Sequence, residues 1–161
     1  MALLSPADQQ KLRESFDAMT SPVRLLFFTQ TLDCETCLPT RQILDELPGL
    51  SDKITIEEVN FILDKDKAAQ YGVDRVPAIA LVSDGEGEAG VGTVDRGAGA
   101  AGVFKDSRIR FLGAPSGYEF IALVQAVLLV GGRGSNLTAE NRRCLAAIDK
   151  PVTMQVFTTP T

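Results

Sequence analysis

The 161-residue chain contains no histidine. That absence removes Ser-His and Cys-His catalysis, histidine-bound zinc and imidazole pH switching together. Cysteine is sparse and odd in number, at Cys34, Cys37 and Cys144, so the chain is not a secreted disulfide scaffold. Basic residues are too few for a nucleic-acid or anionic-membrane surface, since 16 Lys and Arg against 21 Asp and Glu leave a net charge of −5. No apolar run approaches the roughly 20 residues of a membrane helix. The greasiest stretch, Phe120 to Val130, is interrupted by Gln125. Met1-Ala-Leu-Leu-Ser-Pro-Ala-Asp carries neither the basic segment nor the apolar run of a signal peptide, so a reducing, cytoplasmic location is expected. What is present is ordinary. The 45% apolar and 23% charged residues are those of a globular domain, long enough to bury a core without staples.

Ser5-Pro6 pairs a hydroxyl cap with a first-turn proline and predicts a helix from Pro6 to Met19, with Leu12, Phe16 and Met19 on one face. Pro22 breaks it. Val23 to Thr29 reads as a strand covered on both faces. Leu38 to Leu47 reads as a helix stopped by Pro48-Gly49. Lys53 to Asn60 alternates as a strand, with Ile54, Ile56 and Val59 expected inward. Asp64 to Tyr71 is a short helix closed by Gly72, and Ala78 to Val82 an apolar strand.

Asp84 to Ser107 holds seven glycines in 24 residues without a period, and reads as a long loop. It lacks the Gly-Lys-Ser/Thr ending of a phosphate-cradling loop. Arg108 to Leu112 is a strand and Gly113 to Gly117 a turn. Tyr118 to Val130 is a helix apolar nearly all round, with more greasy girth than one sheet face needs, ended by Gly131-Gly132. Asn136 or Thr138 caps another helix to about Ile148, and Val152 to Thr158 reads as a last strand. This order predicts an α/β fold: a mixed sheet with helices on both faces.

Two segments echo each other. Pro22, Val23, Phe28 and Thr29 match Pro151, Val152, Phe157 and Thr158 at a fixed offset, which points to a duplicated unit. A free strand at Val152 to Thr158 would favour a swapped dimer.

Cys34 and Cys37 follow a buried strand and open a helix. Cys34 is placed at or beside the N-cap, where free N–H groups and the positive helix end stabilise a thiolate. Asp33 and Glu35 oppose that effect by like charge, so the expected reactivity is that of a reductant or near-neutral exchanger. Cys34 would attack a substrate disulfide and the more buried Cys37 would resolve the mixed disulfide. Two inert, packed cysteines are the plain alternative, and a zinc, iron–sulfur or copper site is poorly supplied with ligands. Cys144 lies beside Arg142 and Arg143 and reads as an incidental thiol. Val76-Pro77 opens a strand on the same sheet. A cis bond there would turn the Val76 backbone toward the sulfurs and offer a substrate chain hydrogen-bonding groups.

FFTQTLDCETC, DRVPAIAL, RFLGAPSGYEF and the closing VFTTPT resemble the protein disulfide oxidoreductases, glutaredoxin-like proteins with two thioredoxin-fold units in tandem. LSDKITIE, the GAPSGYEF turn and the helix ending in Gly-Gly are also similar to the N-terminal domain of the alkyl hydroperoxide reductase flavoprotein. The resemblance implies a thioredoxin fold with a mixed four-stranded sheet over residues 1–132, including a Gly-rich insertion at 84–107. It further implies a linking helix at 133–150 and the first strand of a second unit at 151–161, whose Cys pair would begin just past Thr161. Cys34 becomes the nucleophile, Cys37 the resolving thiol, and Val76 with the cis-proline Pro77 the substrate-binding pair. No bound cofactor or metal is implied; protein disulfides would be the substrates and a thioredoxin-reductase-like protein the electron donor. A relay serving a peroxidase and a docking scaffold with vestigial cysteines are the other functions in view.

The chain departs from the pattern in four places, one being that its Gly-rich loop is longer than either family's. Phe28 stands where thioredoxin keeps a buried acid, Pro39 is expected to kink the helix after the cysteines, and Gly117-Tyr118-Glu119 replaces the Gly-Gly-Asp of glutathione-binding glutaredoxins.

Overall fold

A computed structural model describes residues 4–84 and 104–158. Helix α1 (Pro6–Asp17) starts where Ser5 Oγ accepts the Asp8 N–H at 3.2 Å. Strand β1 (Val23–Thr29) follows, then α2 (Cys37–Asp45), β2 (Ile54–Asn60), α3 (Lys65–Gln70) and β3 (Ala78–Asp84). Strand β4 (Phe104–Leu112), α4 (Tyr118–Val130) and α5 (Ala139–Ala146) complete the order. The sheet runs β2-β1-β3-β4, with β1 parallel to β2 and antiparallel to β3, and β3 antiparallel to β4. This is the mixed four-stranded α/β arrangement read from the sequence.

The near-continuous apolar run of β1 is explained by its central place. Val23, Leu25 and Phe27 face a core shared with Phe16, Leu44, Leu123 and Val127, so α1, α2 and α4 cover one side. Leu26 and Phe28 face the other side with Ala68, Tyr71 and Val73, where α3 is the covering helix. Both faces are therefore dry at β1, and polar residues there would lose water without gaining partners. No helix among the described residues is long and apolar enough to cross a membrane.

The structure differs from the sequence reading at several points. Val59 packs with Phe28 and Tyr71, on the face opposite Ile54, because residues of odd separation point to opposite sides of a strand. Strand β3 runs on to Asp84 and β4 begins at Phe104, so both ends of the expected 84–107 loop are ladder; the rest of that loop, 85–103, lies outside the described residues. Lys105, Asp106 and Ser107 lack apolar alternation, and a register shift between Ala80 and Val82 breaks the period further. Val152 to Thr158 is exposed and forms no strand among the described residues. A strand needs a neighbour to satisfy its backbone, and this segment has no ladder partner there.

On the α3 side, Arg24 and Lys67 both ion-pair with Glu57, Arg24 at 2.8 Å. Burial pushes the Glu57 carboxyl up, but hydrogen bonds from Lys67 and Arg24 outweigh it and hold the group below its ordinary value of 4.5. A depressed folded pKa stabilises above the unfolded value and ceases to do so as pH falls through the folded one. Glu57→Gln is expected to cost about 1 kcal/mol at pH 7, a figure reduced by solvent screening, and almost nothing near pH 3. Urea unfolding at the two pH values checks this. An equal loss at both would show that the ion pairs do not carry the effect.

Candidate active site

Strands β1 and β2 end, and β3 begins, at one end of the sheet, because Thr29 pairs with Asn60 and Phe28 with Ala78. That end collects the chain's chemistry. From Thr29 the backbone turns through Gln30, whose Nε2 donates to the Leu32 carbonyl at 2.8 Å. Asp33 sits at φ 55°, a left-handed conformation that Asp tolerates better than most residues. Cys34 comes next, half-buried, and is disulfide-bonded to Cys37 with their Cα atoms 5.4 Å apart.

Cys37 is the first residue of α2 and only 5% exposed. Cys34 stands two residues ahead of the N-cap, Thr36, rather than at it. The two residues between the sulfurs form a turn closed by the Cys37 N–H on the Cys34 carbonyl at 3.4 Å, which delays the helix start. The free N–H groups at the head of α2 thus lie nearer Cys37 in sequence than Cys34. This helix start also corrects the expected kink at Pro39. As the third helical residue, Pro39 occupies a position whose N–H has no intrahelical partner in any case, so its missing donor breaks no bond.

The Val76–Pro77 peptide bond is cis. Pro77 lies one step beyond the Phe28–Ala78 pair, level with the end of β1, and its carbonyl accepts the Gly113 N–H at 2.9 Å. Pro77 is buried and Val76 half-buried against the α3-side core. The sulfur loop, the Val76–Pro77 segment and the turn before α4 are therefore brought to one end of the sheet. Cys144 is not; it is exposed on α5.

Two features of this end escaped the sequence reading. Leu32 and Leu38 flank the cysteines at 77% and 67% exposure, and Ile62 and Leu63 are exposed just past β2. Each is an apolar residue in a turn or off a helix's inward stripe, which is the signal that could have found it. Thr40 is the second. It is fully buried beneath Cys37 on the inward stripe of α2, and its Oγ1 donates to the Thr36 carbonyl at 2.7 Å. Phe28 is fully buried with its ring centroid 6.0 Å from that of Tyr71. Burial, with Asp106 and Glu57 nearby, pushes the Tyr71 phenol up to about 12. Neither ring can exchange protons with a thiol near neutral pH.

No protein-family profile matches the chain. Over 60 residues it is 35% identical to a probable thioredoxin of Methanothermobacter marburgensis, a match spanning 37% of this chain and 69% of that protein. Over 49 residues it is 37% identical to a probable thioredoxin of Methanothermobacter thermautotrophicus, spanning 30% of this chain and 58% of that one. Among solved structures, the N-terminal N/C domain of alkylhydroperoxide reductase AhpF from Enterococcus faecalis superposes with a TM-score of 0.72 at 28% identity. That match covers 91% of this chain and 62% of the other. A protein disulfide oxidoreductase from Aeropyrum pernix gives a TM-score of 0.66 at 23% identity, covering 89% and 54%. The chain thus spans roughly three-fifths or less of several of the proteins it resembles.

Proposed function

The chain belongs to the thioredoxin family, and from that premise we propose that it is a thiol–disulfide oxidoreductase acting on protein disulfides through Cys34 and Cys37. One observation carries the reading: a half-buried Cys34 in a surface turn is joined to a buried Cys37 at the first position of a helix. Cys34 is the more exposed of the pair and is the one this reading presents to a partner.

The bonds follow from that asymmetry. In the reduced chain the Cys34 thiolate attacks one sulfur of a substrate disulfide; a Cys34–substrate bond forms as the other substrate sulfur leaves as a thiolate. The Cys37 thiolate then attacks Cys34, forming the internal disulfide and releasing the second substrate sulfur. Two electrons pass to the substrate, and the protons lost by the two cysteines reach the two released thiolates through water. With Phe28 filling the buried place on β1 and Asp33 and Glu35 exposed, solvent is the proton carrier available at this end.

Val76 and Pro77 bind the substrate backbone in this reading, supported by their position level with the end of β1. A thioredoxin-reductase-like protein returns the electrons, in a reducing compartment such as the cytoplasm. Residues 1–132 form the working unit, 133–150 link it onward, and 151–161 open a second unit.

Insulin reduction driven by dithiothreitol tests the proposal. The chain is expected to accelerate insulin precipitation well beyond dithiothreitol alone, and no acceleration would sink it. The likeness to alkylhydroperoxide reductase favours a second reading, a relay that passes electrons to a peroxidase. Reduction of a disulfide-form thiol peroxidase at a rate far above that of insulin would select it.

A further inference from the structure

Between α2 and the turn that opens α4 lies a groove of about 370 Å³. One wall is the stripe Pro39, Gln42 and Ile43 on one side of α2, continued by its C-cap Glu46. Pro115, Ser116, Gly117 and Phe120 form the other wall, and Leu4 adds to the lining from ahead of α1. The groove begins two residues past Cys37, yet the exchange at Cys34 described above makes no use of it.

We propose that this groove is a specificity subsite for the substrate polypeptide. It takes an apolar side chain about four residues from the substrate's disulfide, in a segment carrying Lys or Arg. The inference rests on the exchange reading and names the substrate class for it.

Reach sets the spacing. Gln42 and Ile43 lie about 8–9 Å along the helix axis from Cys37, and an extended chain advances roughly 3.3 Å per residue. Three residues cover that distance, and about one more crosses the shoulder of the helix. Lining chemistry sets the side chain. Leu4, Pro39, Ile43, Pro115 and Phe120 give the groove hydrocarbon walls, and exposed Leu38 continues the apolar surface toward the sulfurs. Charge sets the flanks. Asp33 and Glu35 stand exposed on either side of Cys34, and the groove lining contains no Lys or Arg among the described residues. Arg41, the one cation of α2, is held by Asp45 and Glu58. The field over this end favours a basic partner.

The test uses the reduced full chain and two synthetic peptides, each dimerised through a single disulfide. One carries leucine about four residues after its cysteine with lysines beside it; the other carries serine and glutamates at the same places. Hydroxyethyl disulfide, too small to span the distance to the groove, reports exchange alone. The leucine–lysine peptide is expected to react about tenfold faster than the serine–glutamate one. Ile43→Ala and Gln42→Lys are each expected to lower that rate about fivefold while leaving the hydroxyethyl disulfide rate unchanged. Gln42 is exposed, so its variant retains the fold even where Ile43→Ala loosens it. Equal rates for the two peptides, or variants that slow hydroxyethyl disulfide in proportion, overturn the groove's role and leave the exchange reading standing. A wild-type chain inert toward hydroxyethyl disulfide overturns both.

Discussion

A reduced Cys37→Ser chain mixed with a disulfide-bonded protein is expected to accumulate a mixed disulfide through Cys34, while its turnover falls about a hundredfold or more. Resolution in the wild type is intramolecular, and such steps gain orders of magnitude over attack by an external thiol. Without Cys37, release awaits a thiol from solution. Cys34→Ser is expected to behave differently: its remaining thiol at position 37 is buried, so no adduct forms and turnover drops to background. Intact-mass measurement after acid quench separates the outcomes. Wild-type rates in both variants would mean that the sulfurs are bystanders and the chain is a docking scaffold.

Phe27→Ala is expected to destabilise the fold by about 3–5 kcal/mol, the range for deleting a buried aromatic side chain. Phe27 is 1% exposed on the central strand, in the core that α1, α2 and α4 share, and none of these helices can close the gap without breaking its own packing. Because the sulfur loop leaves the same strand two residues later, exchange activity is expected to fail at a correspondingly lower temperature. Phe157→Ala supplies the contrast. That ring is 90% exposed, so its loss is expected to change stability by less than about 0.5 kcal/mol. Urea unfolding of the two variants, compared with wild type, checks both values. Equal losses would mean that 152–158 is packed in solution.

What could be read from the sequence followed the strength of each local signal. β1 was legible to the residue because six apolar or β-favouring residues, interrupted by Arg24 alone, lie between Pro22 and a polar loop. α4 was equally clear, opened by Gly117 and stopped by Gly131-Gly132. The site's membership was legible as well, since Cys-x-x-Cys and Val-Pro are punctuation that survives without context. Its geometry was not. Whether a helix begins at Cys34 or at Cys37 depends on a turn closed by one weak backbone bond, which leaves no mark on composition. β4 was cut short because its first half is polar and irregular, its pairing decided by β3. The echo between Pro22–Thr29 and Pro151–Thr158 failed as a strand for the converse reason: sequence can propose a strand, but only a neighbour completes it.

Under the exchange proposed above, the unequal exposure of Cys34 and Cys37 also dictates a rate law. Oxidant and reductant must visit the same atom in turn, because Cys37 has no separate door for either. The steady state is then that of a shuttle with a single berth: double-reciprocal plots at several concentrations of one reactant run parallel, and either reactant in excess inhibits only by occupying the form of the chain meant for the other.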